Sequence, residues 1–452
     1  MLDIAATDPS TGSGQAITNS GTLAGRRLVS LTAENIRNLG GTIKGEEVTL
    51  GAENDIEMRG GTIEAGSRLD LLAGGNIDIA SSTHSSENKE GGDFSRTNID
   101  RVAGLYVQNP GGTLQLAAAG DITLLAAHLI NTAPTAAGLE ATAGDGVVAG
   151  STRIDAGGNL TLGTLAVEEK NHTGGKGYRN ESGSRREAGT RIESQGDVTL
   201  VAGGTLAARA AEVTSTQGDI LAGANDIVLE AGEASSYSDI SQQKKRSGFL
   251  SSKSKSQRDA FADTSAVAST FSGENVTLVA ERDVQVKGSN VAGTNDATLI
   301  AGRDLAIEAA TETHSETHVL DKKKSGFLSS GLDALNKTRD EINAKGSVVR
   351  AGRDLELIAG AANAEAAFGD GAQPNSLPGN LTLQGSALDA GRDLAIQTTG
   401  DLQLLAAYSQ SRETTQRTTQ TRRKLETLNF DLDQTRALLA TLTAGNSIDL
   451  NV

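Results

Sequence analysis

The tightest grouping of ligand-type side chains in the 452-residue sequence is ETHSETH, residues 312–318, in which His314, Glu316 and His318 alternate with small polar residues. On an extended strand all three share one face, and imidazole and carboxylate at that spacing have the chemistry to bind zinc or copper. The sequence shows no fourth ligand, so the three are expected to be polar residues of an exposed arm, with no metal and no cofactor. His84, His128 and His172 are scattered, and cysteine is absent, which removes thiolate ligands, Cys nucleophiles and disulfides together. GxSxG, HExxH and GxxxxGK do not occur, so no catalytic activity is expected.

Charge is more informative. A net charge of -16 argues against nucleic acid as a partner of the whole chain, yet the cations are segregated. Residues 241–258 carry Lys244, Lys245, Arg246, Lys253, Lys255 and Arg258 with no acid, a local +6; residues 319–330, with Lys322, Lys323 and Lys324, carry +2, and residues 411–424 carry +4. Just after the first two clusters come Phe249-Leu250 and Phe327-Leu328. Apolar pairs beside cations suit an anionic membrane surface or lipopolysaccharide, so these residues are the candidate contact site. The competing arrangement has the arms folded back, cations paired with the acidic remainder and Phe-Leu pairs tucked against it.

The elements that must position these arms are periodic. Segments beginning at Gly21, Gly41 and Gly61 align with a step of 20, each holding three short alternating runs such as Thr42 to Ile43, Val48 to Leu50 and Ile56 to Met58. Gly-Asn and Gly-Asp corners separate the runs, and the corner AGRDL begins at Ala301, Ala351 and Ala390. A three-strand unit of constant length predicts a right-handed parallel β-helix of about 15 coils, roughly 75 Å long at ~4.8 Å per coil, filled by Val, Leu, Ile and Ala. The Arg-Asp pairs of AGRDL are expected to stack as charge ladders on a corner.

The expected division is one continuous repeat region over 1–452. Insertions interrupt it at about 81–99, 168–188, 233–262, 311–344 and 409–441, separated by about 3, 2, 2 and 3 coils, as if leaving one edge. Within the last two, Leu332, Leu335 and Ile342, and Leu425, Leu428, Leu432, Leu439 and Leu442, have spacings near three and four that predict short amphipathic helices. β-helical polysaccharide lyases are the enzymatic alternative. They need aromatic platforms, which a chain with no Trp, four Tyr and seven Phe lacks. A passive spacer is the other.

The AGRDL, GGNI and AGDI corners, the run SSTHSSENKEGGDFSRTNIDRVAGLYV from Ser81 to Val107, and the pair KKRSGFLSS and KKKSGFLSS resemble the haemagglutinin repeats of filamentous haemagglutinin-like exoproteins. The similarity is greatest to the contact-dependent growth inhibition effectors of Gram-negative bacteria. The resemblance implies a secreted, cell-surface β-helical filament exported by an outer-membrane transporter partner and acting on a target-cell surface by adhesion or toxin delivery. Neither a transporter-recognised domain nor a VENN junction motif is seen. The start, MLDIAATDPSTGSGQ, lacks a basic region followed by an apolar one, so either the protein is not exported by that route or the chain is a fragment whose export signal lies upstream, and it reads as an internal segment or a truncated gene product.

Overall fold

The computed structural model describes residues 1–6, 15–89, 93–132, 150–327, 330–360 and 378–452. The chain winds as a right-handed parallel β-helix, each coil contributing a strand to each of three faces. One coil runs through Asn290–Gly293, Ala297–Ala301 and Leu305–Glu308; the next through Val348–Ala351, Leu355–Ala359 and Leu381–Gln384. Strands of the first two faces hydrogen bond as a 23-stranded sheet, and the third face stacks twelve strands among the described residues.

Alternation within each short run decides what lies inside. On the third face Val284, Leu305 and Leu381 are in parallel register, as are Val286, Ile307 and Leu383; all six are buried. On the second face Leu278, Leu299, Leu357 and Ile396 form another column. Identical positions therefore fall on one another at the coil repeat, and a core of aliphatic columns results. Phe271 is the largest fully buried side chain, between Val213 and Val291 on the first face. The step is 20 residues on the first face, Thr42 over Thr62, and 21 on the second, Val48 over Leu69, with a register shift between Gly45 and Glu47 absorbing the difference.

Corners are held by side-chain ladders. At the second corner the Oδ1 of Asn76 accepts from the backbone N–H of Asp121 at 2.8 Å, that of Asp121 from Asn159 at 2.7 Å, and that of Asn159 from Thr205 at 2.9 Å. Each Asx thus satisfies an amide one coil further on, which is why Asn and Asp recur there. The AGRDL corners do not stack as one ladder of their own pairs. Arg303 lies at the second corner and binds Asp283 of the preceding coil; Arg353 and Arg392 lie at the first and bind Asp296 and Asp354. The motif serves two different corners because both need the same tight bend with an inward Leu to follow.

These ladders carry a pH dependence. Asp354 has its pKa lowered by the hydrogen bond from Arg392, and Asp393 by hydrogen bonds from Ser447 and Asn446. A carboxylate depressed in the folded state contributes stability present above its ordinary value of 3.8 and lost as pH falls through the folded value. Melting followed by circular dichroism from about pH 5 down to about pH 3 is therefore expected to show a steeper loss for the parent than for Asp354→Asn. Parallel curves would remove this ladder as the source.

All five interruptions leave at the third corner, between the third face and the next first-face strand, and all five are β-hairpins: Ser82–Asn88 with Asp93–Arg101, Leu165–Gly175 with Tyr178–Ala188, Gly232–Gly248 with Ser251–Val267, Ala310–Gly326 with Ser330–Lys345, and Ala407–Thr421 with Leu425–Leu438. The two expected helices are strands. In Ser330–Lys345, Leu332 and Ile342 point to one side and Leu335 to the other; in Leu425–Leu438, Leu428 and Leu432 lie opposite Leu425. A short isolated helix is marginal, whereas each of these segments has a ready strand partner, so tertiary pairing overrides the local pattern.

Two coils separate each hairpin from the next, including the two intervals in which the sequence count gave three. Those intervals contain residues 133–149 and 361–377, which lie outside the described residues and lengthen the sequence between consecutive described strands.

Candidate surface-contact site

A hairpin adds two strands, and two coils advance the shaft by two strand spacings, about 10 Å in each case. The match lets neighbouring hairpins pair edge to edge. Asp93–Thr97 pairs with His172–Glu168, Tyr178–Arg186 with Gln242–Ala234, Ser251–Thr264 with Gly326–Thr313, and Gly331–Ile342 with Thr421–Gln410, all antiparallel. The result is a ten-stranded sheet, here called the wing, standing off one corner of the shaft. The arms therefore neither wave singly nor fold back.

The root of the wing is tied to the shaft by residues that sequence reading passed over. Glu187, 8% exposed, ends the second hairpin and accepts from Arg209 Nε at 2.9 Å and from the backbone N–H of Glu233, at the start of the third, at 3.1 Å. Where the chain re-enters the shaft, buried hydroxyls meet backbone carbonyls of third-face strands. Thr190 Oγ1 lies 2.7 Å from Leu124 O, Ser269 Oγ 2.7 Å from Glu230 O, and Ser347 Oγ 2.7 Å from Glu308 O. Their common signal is a Ser or Thr two residues after each of these three hairpins.

Towards the tips the third and fourth hairpins outreach the second, and there the predicted cations come together. Lys244 lies opposite Lys255, which lies opposite Lys322; two residues on, Arg246 lies opposite Lys253, which lies opposite Lys324. Opposed residues share a face, so these six form two rows of three on one side of the wing. Lys245 and Lys323 flank Ser254 on the other side. Like charges directly opposite one another destabilise a sheet, each contact costing about 1 kcal/mol at ~4 Å in bulk water. Lys322 is relieved by Asp333 at 3.8 Å and Lys323 by Asp321 at 3.2 Å. Among the described residues no ion pair involves Lys244, Arg246, Lys253, Lys255 or Lys324.

Beyond the rows, Phe249 is 101% exposed, Leu250 66% and Phe327 83%, so the apolar tips are not tucked away. The Phe327 amide donates to Leu250 O at 3.3 Å, holding the two turns side by side. Leu328 lies outside the described residues. Arg258 does not join the array: its guanidinium grips Asp239, Nε to Oδ1 at 3.0 Å and Nη2 to Oδ2 at 2.8 Å, and that pairing raises its pKa.

The metal candidates occupy the same seam nearer the shaft. His314 Nδ1 is bonded to Asp263 and His318 Nδ1 to Asp259, while Glu316 lies opposite Phe261 and Arg339. Each histidine is claimed by its own carboxylate, and the described residues contain no group of three or more His, Asp or Glu disposed to hold a metal ion. No helix of the described residues is long and apolar enough to cross a membrane.

Hemagglutinin-repeat family models match residues 30–104, 171–251, 247–338 and 328–448, spanning four of the five hairpins completely and most of the second. The chain is 34% identical over 148 residues to the 16S rRNA endonuclease CdiA of Enterobacter cloacae, covering 33% of this chain and 4% of that protein. It is 24% identical over 443 residues to tRNA nuclease CdiA-2 of Burkholderia pseudomallei, covering 84% of this chain and 14% of that protein. It is 25% identical over 290 residues to the tRNA nuclease CdiA of an Escherichia coli strain, covering 63% and 8%. The chain thus spans a small fraction of the length of these relatives. No solved structure matches. With the matches covering most of its length and coil and hairpin alternating throughout, the chain belongs to the hemagglutinin-repeat family of filamentous haemagglutinin-like exoproteins.

Proposed function

We propose that the chain is a non-catalytic shaft segment of a secreted, cell-surface exoprotein exported through an outer-membrane transporter, and that it presents the wing to the surface of a target cell during adhesion or toxin delivery. The nuclease activity named for the relatives belongs to proteins of which the chain spans only a small part. The observation that carries the reading is the tip of the wing: unpaired cations and exposed Phe side chains gathered at one end of a ten-stranded sheet, on a chain of net charge -16. Most charges elsewhere on the wing and corners are paired, and exposed pairs of that kind contribute ~0 to 1 kcal/mol each, so they serve as fastening.

Replacing Lys244, Lys245, Arg246, Lys322, Lys323 and Lys324 by Gln tests it. Binding to phosphatidylcholine vesicles containing phosphatidylglycerol, and to Gram-negative cells, is expected to weaken and its salt dependence to become shallower. An unchanged affinity and slope in a folded variant would move the contact to the shaft.

A further inference from the structure

The six cations on one side of the wing are arranged as a receptor, and we infer that they form a phosphate-binding site for phosphomonoester headgroups of an anionic lipid surface. The inference rests on the wing tip being the contact surface and adds what it contacts.

Register is the starting point. Lys244, Lys255 and Lys322 occupy adjacent strands at one level, and Arg246, Lys253 and Lys324 the same strands two residues further out. Neighbouring strands are about 4.8 Å apart and successive side chains on one face about 7 Å apart, so every cation has two or three others within a side-chain length. Such an arrangement opposes its own folding unless something neutralises it. The seam between the third and fourth hairpins makes this sharpest. Near the shaft it is fastened by His314 with Asp263 and His318 with Asp259; at the tip it brings Lys255 against Lys322 and Lys253 against Lys324. On these three strands neither row contains a carboxylate, and the nearest one in register is Asp333, on the following strand, beside Lys322.

The ligand that fits carries more than one negative charge at a point and several acceptor oxygens. A phosphomonoester has about -1.5 to -2 charge near neutral pH and three oxygens to share among donors, whereas a phosphodiester has one charge and two free oxygens. A phosphomonoester lodged between two opposed lysines replaces their repulsion with two charge-assisted hydrogen bonds, and Arg246 adds a planar fork that matches phosphate. A carboxylate offers one charge and leaves each pair of cations only half compensated. The lipid source follows from Phe249, Leu250 and Phe327, which project beyond the rows and are exposed to water in the free protein. When a headgroup sits in the rows, these side chains reach past it towards the acyl boundary.

The experiment uses the full chain and phosphatidylcholine vesicles containing either phosphatidic acid, a phosphomonoester, or phosphatidylglycerol, a phosphodiester, at matched surface charge. Binding to phosphatidic acid is expected to be at least about tenfold tighter, inorganic pyrophosphate is expected to compete, and amide exchange at Lys253 to Lys255 and Lys322 to Lys324 to slow on binding. Lys253→Gln combined with Lys255→Gln should erase the preference, while Lys170→Gln with Lys287→Gln, which removes the same charge elsewhere, should keep it. Equal binding to both vesicles with equal salt slopes would overturn the phosphate site and leave diffuse electrostatic contact standing. Pyrophosphate binding without vesicle binding would overturn the lipid source, and binding to neither vesicle would overturn the contact reading as well. If the double variant fails to fold, Lys322→Gln with Lys324→Gln, on the opposing strand, makes the same test.

Discussion

Leu305→Asp lowers the stability of the shaft by several kcal/mol, on the order of 3–5, the cost of leaving an uncompensated charge in an apolar interior. Leu305 is 0% exposed and stacked between Val284 below and Leu381 above. An Asp there has no cation within its column, and its neighbours are held by flanking strands that allow little retreat. Because a solenoid is stabilised chiefly by nearest-neighbour contacts, the damage spreads to the two adjoining coils before reaching the ends. Thermal melting by circular dichroism should show a lowered or split transition. The matched control is Ala306→Asp, the next residue along, which is half-buried and points outward between Gln285 and Thr382. If Leu305→Asp melted with the parent, or the two substitutions cost the same, the assignment of inward and outward positions would be wrong.

Deleting one coil between two hairpins splits the wing. Residues 190–210 form the coil that carries Arg191–Ser194, Val198–Ala202 and Thr205–Arg209. Without it the second and third hairpins leave the shaft one coil apart, about 5 Å, where two strands require about 10 Å. The nine residue pairs joining Tyr178–Arg186 to Gln242–Ala234 cannot all be kept, and at about 1 kcal/mol net for each backbone hydrogen bond the seam opens. Hydrogen exchange should show the amides along that seam passing from protected to rapidly exchanging while the shaft columns stay protected. Deleting residues 190–268 instead removes two coils and one hairpin. Ser269 then takes the place of Thr190, the second hairpin faces the fourth at the original spacing, and the wing is expected to close. Equal protection of the seam in parent and single-coil deletion would show that hairpins pair independently of the shaft.

Much of this was legible in the residues. The shared spacing of Gly21, Gly41 and Gly61 and the alternation in Val48 to Leu50 carry the β-helix, because a parallel coil must repeat its inward positions each turn and tolerates little variation in length. The cations and the Phe-Leu pairs were also visible as clusters. What misled was local pattern without its partner. Leucines at spacings of three and four in residues 425–442 fit a helix, and a count of residues between insertions includes 133–149 and 361–377, which lie outside the described residues, and so exceeds the two coils that the described strands form.

By itself the sequence determined the inward columns, the Asx corners and the segregation of charge, all of which depend on neighbours within a few residues or one repeat away. Only the tertiary structure decided that the arms are hairpins, that they join into one sheet, and that Lys244, Lys255 and Lys322 share a row. The reason is geometric. Residues 244 and 322 come level because two coils rise by the same distance as two strands are wide, and that equality belongs to the backbone hydrogen-bond spacing.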